Sequence, residues 1–276
     1  MNYIGLDELL LAALKEDIGT GDITTNCCVP EGNRSRGEFV AKEDGVLCGL
    51  DIAARVFALV DGSVRFEPLK NDGDAIKKGD VIAKIEGSSR SILTGERVAL
   101  NFMQRLSGTA TATARAVKMV EGTRAKIVDT RKSTPMLRSL EKYAVRVGGG
   151  HNHRFNLADG VLIKDNHISA AGGIAEAVGM ARASVPHVMK IEVETETLDQ
   201  VRQALEAGAD IIMLDNMSCE LMAQAVKLIS GRALTEASGN MGEKDLSEVA
   251  QTGVDFISIG ALTHSVKAMD ISLKFR

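Results

Sequence analysis

Tryptophan is absent from this chain of 276 residues, tyrosine occurs twice and phenylalanine seven times. So few aromatic rings leave no stacking platform for nucleic-acid bases and no aromatic belt for a membrane interface. An excess of positive charge is missing as well. The chain has 33 Lys and Arg against 37 Asp and Glu, a net charge of −4, which excludes a chain-wide electrostatic grip on nucleic acid. No apolar run reaches the roughly 18 residues of a membrane span. The opening MNYIGLDELLLAALKEDIGTGD has acids within its apolar stretch and no basic segment ahead of it, so it does not read as a secretory signal. Cys27, Cys28, Cys48 and Cys219 form neither a Cys-x-x-Cys pair nor a metal-ligand spacing. They read as reduced, partly buried thiols, which places the protein in a reducing cytoplasm. Walker A, Gly-x-Ser-x-Gly, His-Glu-x-x-His and Gly-x-Gly-x-x-Gly motifs are lacking too.

What remains is an ordinary globular composition, 45% hydrophobic and 25% charged. At about 150 residues per domain the length is just under two domains. Leu6, Leu9, Leu10, Ala13 and Leu14 predict a helix, ended by the loop GTGDITT at 19–25. From 37 to 92 short apolar runs alternate with turns such as Asn71-Asp72-Gly73-Asp74, the texture of a small sheet-rich domain ending near 110. Beyond it, apolar runs at 125–130, 160–165, 187–194, 209–215, 233–238 and 254–260 alternate with amphipathic helices, two of them closed by Gly208 and Gly231. That alternation predicts parallel strands. Six are too few for a closed eightfold barrel, so an open barrel is expected over 111–276, after a first domain at 1–110, with the C-terminal tail packing back on that first domain.

Chemistry in such barrels gathers where strands end. Here the runs end in Asp129-Thr130-Arg131-Lys132, Lys164-Asp165-Asn166, Glu194, Asp215-Asn216, Ser238-Gly239 and Gly260. Residues 124–167 carry nine Lys and Arg against four acids, a local +5 in an acidic protein. Glu141, Lys142 and Arg146 read as a solvated helix face. Arg131, Lys132, Arg154 and Lys164 read instead as converging cations for a small polyanion. EASGNMGEKD (236–245) and SIGALTHS (258–265) each read as strand, Gly turn and helix start, suited to phosphate. Glu194 and Asp215 suit Mg²⁺-bound phosphate or ribose hydroxyls, or serve as ion-pair partners of Lys132 or Lys164. A zinc site on His151, His153 and His167 is the weaker reading; a histidine beside Arg154 is better placed to donate to a ligand carboxylate.

EDIGTGDITT (16–25), GERVALNFMQRLSGTAT (95–111), DTRKSTPMLRSLEKYAVRVGGGHNHR (129–154), LIKDNHI (162–168), IEVETETL (191–198), IIMLDN (211–216), EASG (236–239) and DFISIGALTHS (255–265) together resemble the quinolinate phosphoribosyltransferase family along essentially the whole chain. The resemblance implies an N-terminal α/β sandwich domain and an open, incomplete α/β barrel. It also implies a homodimer in which Arg97 reaches the neighbouring active site. The implied reaction joins quinolinate and phosphoribosyl pyrophosphate (PRPP), with Mg²⁺ and no organic cofactor, to give nicotinate mononucleotide, CO₂ and pyrophosphate in de novo NAD biosynthesis.

By the same resemblance Thr130, Arg131, Lys132, His153, Arg154 and Lys164 grip the dicarboxylate and phosphate. Glu194 and Asp215 hold ribose and Mg²⁺-pyrophosphate, the metal either directly or through water. Ser238, Gly239, Asn240, Ile259, Gly260 and Ala261 bind the 5′-phosphate. Lys132, Lys164, Glu194 and Asp215 are the implied catalytic set, with the lysine acting at C2 left open. The chain departs from the usual strings at Ser133, Met136, Asn156 and Asn240. The two asparagines replace glycine where a positive φ is expected, and Met136 follows Pro135 at an expected helix start. The rivals are a paralogue of molybdenum transport loci, a Schiff-base aldolase using Lys164 and a phosphometabolite-binding regulator.

Overall fold

The computed structural model describes residues 5–276. The chain forms two compact units, one of residues up to Ala112 with Val266–Arg276, the other Thr113–Ser265.

The first unit opens with α1 (Leu6–Ile18) and α2 (Ile23–Cys28). The second of these is a correction to the expected loop. Asp22 accepts the backbone N–H of Thr25 at 2.9 Å and so caps a short helix. There follow β1 (Arg34–Ala41), β2 (Gly45–Val46), α3 (Leu50–Val60), β3 (Arg65–Pro68), β4 (Ala75–Ile76), β5 (Val81–Ser88) and α4 (Ser89–Met119). The C-terminal strand Ile271–Phe275 pairs antiparallel with β1, which pairs with β5, which pairs with β3. Ile52, Ala53, Val56 and Phe57 of α3 are buried. Phe57 meets Phe39 and Phe66 with ring centroids 6.0 and 6.1 Å apart, so three of the chain's few aromatic rings share one core. Gly49 leads into α3 at φ 104°, and the Asp72 carboxylate accepts its N–H and that of Leu50, a negative charge at the helix's positive end.

The second unit carries β6 (Lys126–Val128), α5 (Arg138–Val147), β7 (Val161–Ile163), α6 (Asp165–Ala171), α7 (Ile174–Ser184), β8 (Ile191–Thr195), α8 (Leu198–Glu206), β9 (Ile211–Asp215), α9 (Cys219–Ile229), β10 (Leu234–Ser238), α10 (Leu246–Gln251), β11 (Phe256–Ser258) and α11 (Ala261–His264). Its six parallel strands run in the order β6-β11-β10-β9-β8-β7. All six expected strands are present, and among the described residues no ladder joins β6 to β7, so the barrel is open. At that gap His151 donates its N–H to Ile127 O at 2.8 Å, laying the chain after α5 along the free edge of β6. Ile191, Val193, Ile212, Leu214, Ala237 and Ile257 are buried on one side of the sheet. The alternate positions are of another kind: Glu192, Glu194, Asp215, Glu236, Ser238 and Ser258 share the opposite face.

Among the described residues no helix is long and apolar enough to cross a membrane. The cysteines are free: Cys27 and Cys28 are exposed, Cys219 is half-buried and Cys48 is buried. Met136 does not start a helix, for its φ is 67° and α5 begins at Arg138. The left-handed conformation explains why the related strings hold glycine there. Asn240 has the expected positive φ, 52°. Asn156 lies outside the positive-φ set and instead accepts the N–H of Ala158 through its side chain.

Candidate active site

A cavity of about 480 Å³ sits at the carboxyl ends of the parallel strands. Thr130, Arg131 and Lys132 enter after β6, Lys164 after β7, Glu194 from β8, Asp215 from β9 and Ser238 from β10. Gly239, Asn240, His153 and Arg154 complete the expected part of its wall. Ile259, Gly260 and Ala261 do not line it. Ile259 is buried, and the turn at Gly260 lies behind Lys132, whose Cδ would be 3.2 Å from a Cβ added there. Thr263 fixes that turn by donating to the Lys132 carbonyl at 2.7 Å. Arg97 is exposed on α4, in the other unit.

Local chemistry explains these placements. Gly239 has φ 90°, and a Cβ on it would lie 2.7 Å from the Asn216 backbone nitrogen, so only glycine fits. With Asn240 it makes two successive left-handed residues after β10, while α10 starts only at Leu246. The expected helix start at 236–245 is therefore a tight backbone turn and a loop. Lys164 ion-pairs with Glu194, as the ion-pair reading expects. Asn216 donates to Asp215 at 2.6 Å. Arg131 has a buried Nε with no hydrogen-bond partner. A buried donor of that kind is costly unless an anion meets it.

The segment 151–154 is held from below by groups that the sequence pattern places on a solvated helix face. Glu141 and Lys142 are fully buried, because Lys142 pairs with Asp129 and also donates to the His153 carbonyl at 2.8 Å. Glu141 accepts the Thr134 N–H at 3.0 Å. Asp129 further accepts from Asn152 Nδ2 at 2.6 Å and from the His153 N–H at 2.9 Å. Burial pushes the Asp129 carboxyl up and the Lys142 ammonium down from their ordinary values, against the pull of their own pairing. The pair persists because each ion has further hydrogen bonds.

His153 does not donate to the cavity. Its Nδ1 accepts the Arg154 N–H at 2.8 Å, and its Nε2 lies 3.1 Å from Glu192 and 3.6 Å from Glu236. Nδ1 is therefore unprotonated and Nε2 carries the hydrogen. Burial disfavours an imidazolium and the two glutamates favour one more strongly, raising the pKa; charging the ring would break the bond from Arg154. Among the described residues these three side chains form the one metal-like cluster, in place of His151, His153 and His167. His167 instead accepts the Lys164 N–H.

The sequence reading singles out neither Glu192 and Glu236 nor Leu162, Met213 and Ser258 of the cavity wall. The available signal was the strand's period of two, which puts Glu192 with Glu194 and Glu236 with Ser238. Burial, and then the charge of Glu192, push the Glu236 carboxyl up to about 8. A second cavity of about 320 Å³ lies on the other side of His153, Arg154 and Glu236, which line both.

Residues 109–274 match the family model described as quinolinate phosphoribosyl transferase, C-terminal domain, and residues 22–107 match its N-terminal domain. A probable nicotinate-nucleotide pyrophosphorylase [carboxylating] of Bacillus subtilis is 49% identical over 273 residues, covering 99% of this chain and 94% of that protein. A chloroplastic protein of that name from Arabidopsis thaliana is 45% identical, covering 98% and 82%. The crystal structure of NadC from Streptococcus pyogenes superposes with a TM-score of 0.93 at 46% identity, covering 100% of this chain and 99% of that one. The nicotinate-nucleotide pyrophosphorylase of Ehrlichia chaffeensis gives 0.95 at 40%, covering all of both chains.

Proposed function

Because the chain belongs to the quinolinate phosphoribosyl transferase family, we propose that it transfers the phosphoribosyl group of PRPP to the ring nitrogen of quinolinate and releases the C2 carboxylate as CO₂. The products are nicotinate mononucleotide and pyrophosphate. The observation that carries this reading is the convergence of Arg131, Lys132, Arg154 and Lys164 with Glu194 and Asp215 on one cavity, with the Arg131 Nε buried and unpartnered. A dicarboxylate supplies what that nitrogen lacks.

In this reading Thr130, Arg131, Lys132, Arg154 and Lys164 hold the carboxylates and phosphate, and His153 shapes the wall that seats them. Glu194 and Asp215 face the ribose, where they stabilise the positive charge that develops at C1′ as pyrophosphate leaves. Positioning two anions in one cationic bowl supplies much of the remaining rate. The 5′-phosphate sits at the backbone turn of Ser238, Gly239 and Asn240, backed by Ile259, Gly260 and Ala261. The ion pair of Lys164 with Glu194 sets these two residues side by side in the wall.

The donor set fits Mg²⁺: Glu194 and Asp215, two partly exposed carboxylates, are hard oxygen ligands that would hold it. Bound with PRPP, Mg²⁺ would neutralise the leaving pyrophosphate. A second copy of the chain is the source of one further cation, Arg97, making the working form a homodimer. The free thiols suit a reducing cytoplasm.

The test is to mix purified protein, quinolinate, PRPP and Mg²⁺ and follow nicotinate mononucleotide and CO₂ together, with nicotinate as the control substrate. Both products from quinolinate alone are expected. A folded protein that makes neither overturns the reading.

A further inference from the structure

Loss of CO₂ from the pyridinium leaves an electron pair at C2, and a proton must take the place of the carboxylate. On the reading above that step needs an acid at the floor of the cavity. Lys164 is committed to Glu194, and Lys132 is exposed. Glu236 is different from both. It is only 3% exposed, it lines the cavity, and its Oε1 has no hydrogen-bond partner. His153 Nε2 lies 3.1 Å from Glu192 and 3.6 Å from Glu236; Glu192 also has an unpartnered Oε1, but of the two glutamates Glu236 is the one that lines the cavity. Ligand oxygens of Glu192 and Glu236 lie within 4.8 Å of one another. Two charges so close in a buried wall are not both sustained, and one carboxyl keeps its proton.

We propose that Glu236 is the catalytic acid of the decarboxylation, delivering the proton that replaces the departing carboxylate at C2. The C2–carboxylate bond breaks, CO₂ leaves without the bonding electrons, and the pair remains at C2, where the pyridinium nitrogen stabilises it. The Glu236 O–H bond then breaks and a C2–H bond forms, leaving Glu236 as a carboxylate that solvent reprotonates after product release. Glu192 acts at one remove: its charge holds the proton on Glu236, and its bond to His153 fixes the ring between them. The raised pKa of Glu236 agrees with this arrangement. The assignment rests on the proposed reaction.

The experiment separates the two chemical steps. Glu236→Gln, supplied with quinolinate, PRPP and Mg²⁺, is assayed for pyrophosphate, CO₂ and mononucleotides by mass. Pyrophosphate release is expected to persist while CO₂ release falls by about 10²–10⁴-fold, the range of general acid catalysis, and the carboxylated mononucleotide accumulates. Glu236→Asp, which retains an acid, is expected to release CO₂ faster than Glu236→Gln, with circular dichroism verifying that both variants fold. CO₂ release that keeps pace with pyrophosphate in Glu236→Gln overturns the assignment, as does an equal loss of both steps in both variants. A wild-type protein that forms neither product overturns the underlying reading, and this assignment with it.

Discussion

The two sheets of this protein solve opposite problems. The antiparallel sheet of the first unit packs Phe39 and Phe66 against Phe57 of α3 and keeps its ions outside, as in the pair of Arg36 and Glu86, which are 76% and 43% exposed. Among the described residues, every buried charged side chain lies in the second unit: Asp129, Glu141, Lys142, Glu192 and Glu236. Burying charge costs free energy that packing alone would not require. The first sheet is therefore organised for stability, and the second gives up stability to hold charge where a ligand enters.

Cutting one partner from the deepest pair should show the contrast at its largest. Lys142→Met strands Asp129, and a loss of about 3–5 kcal/mol in urea unfolding is expected. Arg131→Ala removes a cation from the cavity wall without touching the core. Its fold should melt as the wild type does, while quinolinate binding weakens by about 2–5 kcal/mol; calorimetry that finds unchanged affinity would refute the role.

A third test uses pH. The native chain keeps the Glu236 proton up to about 8, whereas the unfolded chain releases it near the ordinary glutamate value. Between those limits the unfolded state binds fewer protons, so stability should fall as pH rises. Thermal melting of Glu236→Gln across that window should lack this part of the slope. The smallest effect belongs to the first sheet. Arg36→Ala should cost less than about 1 kcal/mol, since exposed pairs contribute little.

The same contrast decides what was legible in the sequence. Parallel strands buried on both faces are written as apolar runs, so all six were visible, and the polar residues ending them named most of the cavity wall. Glu236 and Glu192 lie inside such runs. They were absorbed into the strands, and only the period of two distinguishes them. Lys142 could not be read, because its helix looks amphipathic with a charged face until the fold brings Asp129 under it. Met136 needed a backbone angle. His153 needed its neighbours: the sequence shows a histidine beside an arginine, and only the geometry shows both ring nitrogens occupied.

Asp129 takes hydrogen bonds from α5 through Lys142 and from the 152–153 segment through Asn152 and the His153 N–H. The ligand-facing strip of chain is in this way mortised into the interior. Substitutions at 129, 142 or 152 will therefore pass for defects of the reacting centre although none of these residues lines the larger cavity. Conversely, a change of substrate preference built on His153 or Arg154 alone works against a foundation fixed elsewhere, and will need residues of α5 to move with it.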